Sequence, residues 1–429
     1  MSGQPRILTW LQRDPAVRLR REAWGGLAFH RDTGDLLELD RDGFDVVRLL
    51  GTASTAAAVA ARLRARGSEA RWAMLACLLR QLEAQGIVRR VAPNSPSLPA
   101  DPLAEEPVLD VEDGLRAPIV AHWAVTYRCN LSCAFCYSES GPGREAGPKP
   151  QIRRRIVERL ADWGVLEVAL GGGEPTLLAN FPELLATIRA WGMVPNVTTN
   201  GTVHRPETVA ALAEYAGVVH LSADQPDRLD AARGPGVFAR LRRTARDLTA
   251  AGVRLGVNLL LTPANVRDLP RSLEAALELG ARSITLLRPK GDWAHARWTG
   301  FPSADDLQAT AAGVRAFLAG RPPVRMYVDT ALRGEWADLG LFEDPEPEVA
   351  GCGGGQRHVA ITPEGEVFPC SHARSTAYRM GNLLTDGSDQ IWSEDPGRAA
   401  RRQYIGASQG VRCTCQVEAR PSTTGHLPP

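Results

Sequence analysis

The 429-residue sequence has no run of about 18 apolar residues, so no segment reads as a bilayer-spanning helix. A signal-peptide core is missing too: in "MSGQPRILTWLQRDPAVRLRRE" charges interrupt every apolar stretch, and a cytoplasmic protein with no membrane partner is expected. Nor is there an excess of either charge. Fifty Lys and Arg against forty-nine Asp and Glu leave a net charge of +1, which argues against nucleic acid as the main partner. What remains is an ordinary globular composition, 44% apolar and 23% charged. At ~100–200 residues per domain the chain has room for about two to four domains.

The eight cysteines are Cys77, Cys129, Cys133, Cys136, Cys352, Cys370, Cys413 and Cys415. In a reducing compartment clustered thiols hold metal or do redox chemistry more often than they form structural disulfides. Seven fall into two groups. Cys77 stands apart in "EARWAMLACLLRQLEAQG", where Trp72, Leu75, Leu79 and Leu82 recur at helical spacing, and it is expected to be a small buried core residue.

Residues 10–91 read as a compact α+β unit: a strand over "VRLRREAWGGLAFH", a turn at "DTG", a strand at "DLLEL", then helices over 41–50, 54–66 and 69–86. Residues 92–117 interleave five prolines with acidic residues and predict an extended linker. From 118 the pattern alternates strand and helix. Six apolar runs, "IVAHWAV", "LEVAL", "VPNVTT", "VVHLSA", "VRLGVNLLL" and "RSITLLR", predict buried strands. Amphipathic stretches separate them, as in "QIRRRIVERLADWG", where Arg153, Arg154 and Arg155 are expected on a solvated face. Such alternation implies a parallel sheet, with functional groups at the carboxyl ends of its strands. The regularity is expected to end near 324, and residues 419–429 to form a frayed tail.

"TYRCNLSCAFCY" puts three thiolates after the first of these strands. An iron-sulfur cubane normally takes four cysteines; three leave one iron open to another ligand. Zinc prefers paired cysteines, and His122, on the preceding strand, is badly placed to complete a tetrahedron.

The CxxxCxxC spacing followed by an aromatic, at the end of the first strand of a six-fold β/α repeat, resembles the radical S-adenosylmethionine (SAM) superfamily. That resemblance implies a 4Fe-4S cluster on Cys129, Cys133 and Cys136 whose open iron chelates SAM, and cleavage of SAM to a 5′-deoxyadenosyl radical. It also implies SAM contacts at Gly172, Gly173 and Glu174 of "LGGGEP", at Ser222, at Arg233 and at Tyr137. Gly172 and Gly173 would let backbone approach the ligand, and Glu174 would accept from the SAM ammonium. Asp224, near the presumed pocket, is a candidate general base by position alone.

Cys352, then Cys370 preceded by Gly365, then "CTC" at Cys413 and Cys415, resembles the C-terminal SPASM or twitch extensions of this superfamily. Four thiolates suit one closed auxiliary 4Fe-4S cluster, with a four-cysteine zinc site as the alternative. Full SPASM regions carry seven cysteines, and CxxC is usual where this chain has CxC. With no cysteine left to return a hydrogen atom, a net oxidative outcome is expected: cross-linking, dehydrogenation or decarboxylation. Residues 10–91 are similar to a RiPP recognition element, in which a leader peptide adds as a strand to an exposed hairpin edge. Arg18, Arg20 and Arg21 lie beside that edge, suited to an acidic leader; the shape is also that of DNA-binding winged helices, although no basic recognition face is present.

The expected fold is therefore α/β: a partial (β/α)6 barrel over 118–322, an N-terminal winged-helix-like α+β domain over 10–91, a linker over 92–117, and a twitch/SPASM-like iron-sulfur domain over 323–418. The whole resembles peptide maturases of the pyrroloquinoline-quinone and mycofactocin type, which implies a precursor peptide bound through its leader and a flavodoxin or ferredoxin electron donor. The alternatives are a radical SAM dehydrogenase of a small molecule and an iron-sulfur DNA-binding regulator.

Overall fold

The computed structural model describes residues 9–67, 72–105, 114–289, 302–320, 323–329, 332–341 and 352–408. The chain divides into two compact units, Met1–Arg116 and Ala117–Pro429. No helix among the described residues is long and apolar enough to cross a membrane.

In the first unit β1 (Trp10–Arg13) precedes a meander of β2 (Val17–Glu22), β3 (Gly25–His30) and β4 (Leu36–Asp40). The stretch expected to be one strand is two, because the chain turns at Ala23–Trp24. Gly25 and Gly26 then pass under other groups: a Cβ on Gly26 would sit 2.2 Å from the Phe44 ring. α1 (Arg41–Leu49) starts on Asp40, whose Oδ1 accepts from Gly43 N at 2.7 Å, a side-chain cap for an otherwise unpaired first-turn amide. β5 (Ser54–Thr55), α2 (Ala56–Arg64), α3 (Trp72–Ala84) and β6 (Val88–Arg90) follow, with β1 between β5 and β6 in a second small sheet.

Three expectations for this unit are corrected. On α3, Leu75, Leu79 and Leu82 are buried, but Cys77 is exposed and so is Trp72. Two residues past Leu75 means about 200° around the helix, which carries Cys77 to the far side. The proline-rich stretch is not extended throughout: α4 (Pro102–Glu105) packs on β2, with Leu103 and Ala104 buried. Asp101 accepts from Arg18 Nε at 2.7 Å, Arg18 Nη2 at 3.1 Å and Leu19 N at 2.9 Å, and Arg21 Nε donates to Ala104 O at 3.0 Å. Arg20 is fully buried and paired with Glu22 at 2.8 Å. The three arginines expected to meet an acidic leader are thus used inside the unit, and the outer edge of β2 is covered. The linker residues 106–113 lie outside the described residues.

The second unit begins with β7 (Val120–Thr126), α5 (Pro150–Trp163), β8 (Glu167–Gly172), α6 (Phe181–Ala190) and β9 (Val194–Thr199). Next come α7 (Pro206–Tyr215), β10 (Val219–Ser222), α8 (Pro226–Arg233), α9 (Val237–Ala250), β11 (Leu255–Leu260), α10 (Leu269–Glu278) and β12 (Ser283–Leu287). All six expected strands form, each paired in parallel with the next. The repeat runs one step further than expected: after α11 (Ala304–Ala319), β13 (Arg325–Val328) pairs in parallel with β12. Period-two alternation builds the layers. Ala121, Trp123, Val125, Val168, Leu170, Val197, Leu221, Val257, Ile284 and Leu286 are buried in the core cluster. The alternate residues His122, Ala169, Thr198, Ser222, Asn258 and Thr285 line a central cavity.

Arg153 departs from the solvated face expected for it. It is 4% exposed and donates to Asn180 Oδ1 at 3.2 Å and Ala146 O at 3.0 Å, whereas Arg154 and Arg155 are exposed.

After α12 (Arg333–Asp338) the chain returns to the same sheet. β14 (His358–Ile361) pairs in parallel with β7, and β15 (Glu366–Phe368) and β16 (Gly381–Asn382) continue antiparallel. Among the described residues the sheet therefore has ten strands in the order β13-β12-β11-β10-β9-β8-β7-β14-β15-β16, with β13 and β16 at its edges. α13 (Ser388–Trp392) and α14 (Gly397–Ser408) follow. Trp392 meets Trp163 of α5 edge to face at 5.8 Å, and Arg159 donates to the carbonyls of Leu383 and Asp386. The C-terminal segment is thus built onto the barrel sheet itself.

Candidate functional site

The chain leaves the carboxyl end of β7 as the loop 127–141, closed at its base by Cys129 N to Gly141 O at 3.1 Å and Gly141 N to Tyr127 O at 3.2 Å. The end of β8 runs beside it, with Gly173 N donating to Thr126 O at 2.7 Å and Glu174 N to Arg128 O at 2.9 Å. A Cβ on Gly172 would stand 2.4 Å from Thr126 O, and one on Gly173 2.1 Å from Arg128 O. Gly172 also has φ +105°, a backbone state that favours glycine. These two glycines admit the cysteine loop, and both also line the cavity, where ligand approach is expected of them. Gly171 is the glycine whose missing side chain leaves room: it lines the cavity, and a Cβ there would meet nothing within 4 Å.

Glu174 is 1% exposed. Its Oε1 accepts from Thr176 N (3.1 Å), Thr176 Oγ1 (2.5 Å) and Thr199 Oγ1 (2.7 Å), and its Oε2 from Asn200 N (2.8 Å). Burial pushes its pKa up, and the hydrogen bonds oppose that shift. Three of these donors crowd Oε1 and one reaches Oε2, so one lone pair of Oε2 stays open. Glu174 ties the ends of β8 and β9 together beneath the cysteine loop and also lines the cavity, with one Oε2 lone pair left for the ammonium expected of it.

Cys129, Cys133 and Cys136 all line one cavity of about 560 Å³, within the range of small-molecule sites. Cys129 Sγ lies 3.5 Å from Leu131 N and 3.8 Å from Asn200 Nδ2. Cys136 Sγ lies 3.3 Å from Ser138 Oγ, which donates to Gly172 O at 3.0 Å. Desolvation raises the pKa of Cys129 and Cys133; the Leu131 amide opposes this at Cys129, and the Arg233 charge at Cys133. Arg233 ends α8, with its guanidinium carbon 5.5 Å from the centroid of the Phe135 ring and a buried Nε that has no hydrogen-bond partner. Ser222, at the end of β10, and Tyr137 line the same cavity. Tyr137 is 45% exposed, but to the cavity: its ring lies 4.5 Å from that of His372, and desolvation raises its phenol pKa.

Asp224 is not among the lining residues. Its carboxylate accepts from Gln225 N (2.8 Å), Asn265 Nδ2 (2.6 Å) and Ser272 Oγ (2.6 Å), fastening the end of β10 to α10 and the turn before it. The proposed base is corrected to a structural acceptor. Sequence reasoning also passed over Asn200, Ser138, His372 and Arg374. Only Asn200 left a signal, as a polar residue just past a strand end.

Cys352 and Cys370 are buried beside Ala373 and Tyr404, and they line this same cavity. Cys352 Sγ is 3.4 Å from Gly354 N and 3.5 Å from Tyr404 Oη. Gly365, at φ +86°, makes the turn between β14 and β15, so the glycine of the spacing signature is a turn residue. Cys413 and Cys415 lie outside the described residues. The site suits the groups that the sequence implied. Three thiols, a guanidinium whose Nε has no hydrogen-bond partner and a bare strand end at Gly171 share one cavity.

Residues 123–276 match the family model of the radical SAM superfamily, and residues 352–416 match that of the SPASM iron-sulfur cluster-binding domain. The sequence is 34% identical over 300 residues to the mycofactocin maturase MftC of Mycobacterium ulcerans, covering 66% of this chain and 77% of that protein. It is 31% identical over 291 residues to the PqqA peptide cyclase of Xanthomonas euvesicatoria, covering 64% and 74%. The crystal structure of Streptococcus suis SuiB bound to precursor peptide SuiA superposes with a TM-score of 0.68 at 18% identity over 91% of this chain and 90% of that one, which shows a shared fold. The two matched domains bring a SAM-binding 4Fe-4S cluster, SAM and an auxiliary iron-sulfur cluster. The chain belongs to the radical SAM superfamily, among its SPASM-type peptide maturases.

Proposed function

We propose that this enzyme oxidatively modifies a ribosomally made precursor peptide, by cross-linking, dehydrogenation or decarboxylation. The observation that carries the reading is that Cys129, Cys133 and Cys136 of the first cysteine group share one cavity with Cys352 and Cys370 of the second. In this reading the first three thiolates hold the cluster that binds SAM, and Cys352, Cys370, Cys413 and Cys415 hold the auxiliary one. Together with SAM, the first cluster supplies a 5′-deoxyadenosyl radical able to take hydrogen from an unactivated carbon.

The chain's own residues bind and orient. Arg233, with its unpartnered Nε, pairs with the SAM carboxylate. Ser222 meets the ribose and Tyr137 the adenine. Glu174, whose Oε2 keeps one lone pair, accepts from the ammonium beside the strand-end backbone around Gly171.

Residues 10–91 hold the leader in this proposal, extended by the 95–105 segment packed on them. β4 pairs with β3 on one side, while the other outer strand of that sheet, β2, is covered by Asp101 and α4. Strand addition at β4 is the fitting mode, and the acidic-leader preference loses its arginines. Tethering then raises the effective concentration of the core peptide at the cavity. A flavodoxin or ferredoxin supplies the low-potential electron.

Mass spectrometry of a co-expressed precursor tests this. A loss of two hydrogens supports cross-linking or dehydrogenation, and a further loss of carbon dioxide supports decarboxylation. An epimerised product of unchanged mass overturns the oxidative reading.

A further inference from the structure

The five residues from Cys370 to Arg374 reach from one cysteine group to the other. Cys370 is buried against Cys352 and Tyr404. Four residues on, Arg374 Nη2 donates to the backbone oxygen of Tyr137 at 3.0 Å, and Nη1 donates to Tyr127 Oη at 3.3 Å. The guanidinium carbon lies 5.8 Å from the Tyr127 ring centroid. Between these anchors, the His372 ring rests on Tyr137 at 4.5 Å with a 51° tilt. Tyr127 is two residues before Cys129, and Tyr137 is the residue after Cys136. One short segment therefore grips both ends of the first cysteine loop, from a chain position more than 230 residues away.

A planar guanidinium fixes two acceptors in one geometry, which an ammonium on a flexible stem does not. Tyr137 borders the cavity, so the torsion of its peptide decides where its ring stands. The segment that sets that torsion is itself held at Cys370.

We propose that Arg374 is a positioning residue: it makes SAM affinity at the first cysteine site depend on the integrity of the second. The inference rests on the reading above that Tyr137 borders bound SAM. Without Arg374 the first site keeps its thiols but loses the fixed aromatic wall. Loss of Cys370 frees the same strut from its other end.

The test is equilibrium binding of SAM to the anoxically reconstituted full chain, with the electron paramagnetic resonance spectrum of the reduced SAM-binding cluster recorded before and after SAM. R374A is expected to weaken SAM binding about tenfold with iron content at the first site unchanged, one step of about 1.4 kcal/mol. R374K should recover part of the loss, through the ring contact with Tyr127 but not the fork. C370A should weaken binding to a similar degree, and C370A/R374A no further than either alone, because both act through one strut. Wild-type affinity in R374A, or losses that add in the double variant, overturns the proposal. Should R374A fail to fold, R374K decides it: full wild-type affinity there overturns the fork, and a loss of a few-fold supports it. If wild type shows no spectral change with SAM, the SAM-site reading fails instead, and the two failures are distinct.

Discussion

Three consecutive glycines at the end of β8 do different work, and single methyl groups separate them. Gly173→Ala would push a Cβ to within 2.1 Å of Arg128 O, a backbone atom that cannot swing away, so the cysteine loop must move. We expect a loss of about 2–4 kcal/mol in chemical denaturation and a fall in iron bound per chain. Gly171→Ala meets nothing within 4 Å and should fold normally, yet its methyl enters the cavity, so SAM affinity should fall with stability unchanged. Glu174→Gln turns an acceptor atom into a donor facing donors. A cost of about 2–4 kcal/mol is expected in the same denaturation measurement. Cys77→Ser, on the exposed face of α3, should change stability by less than about 0.5 kcal/mol. At this scale the spacing of Cys129, Cys133 and Cys136 was readable because a short loop must bring them together whatever surrounds it. The structural parts of Glu174 and Asp224 were not readable. A carboxylate's role depends on which donors reach it, and Thr199, Asn200, Asn265 and Ser272 arrive from 25 to 48 residues away.

The barrel strands were legible because each carries its own period-two pattern, and the helices because each carries a stripe and a stop such as Gly164, which takes φ 94° after α5. The strand missed was β13, and what was missed of β14 was its partner: these strands have four residues each and exist because β12 and β7 offer them an edge. The strap over 95–105 was hidden by its composition, since prolines and acids usually mark solvated chain. Here Asp101 turns an acid into an anchor, with a side chain 4% exposed against Arg18 at 20%. Asp101→Ala should therefore cost about 2–3 kcal/mol in the unfolding transition of the N-terminal unit, since it strands Arg18 and the Leu19 amide together. A change below about 0.5 kcal/mol would return the strap to a passive linker.

Across the second unit, one sheet carries the first cysteine group and, of the second, Cys352 and Cys370. β7 delivers the first loop, and β14, its immediate neighbour, leads into the hairpin that ends at Cys370. The sequence separates these groups by more than 200 residues and gives no hint that they share a cavity; parallel pairing of β14 with β7 is what brings them together. The central claim is that Cys129, Cys133 and Cys136 hold a cluster with one iron left for SAM. The most direct measurement is electron-nuclear double resonance on the reduced, anoxically reconstituted enzyme with SAM labelled by 17O in its carboxylate and 15N in its amine. Hyperfine coupling of both labels to the cluster, absent in C129A/C133A/C136A, is the predicted result. Uncoupled labels in the wild type, or 5′-deoxyadenosine still forming in the triple variant, would contradict it.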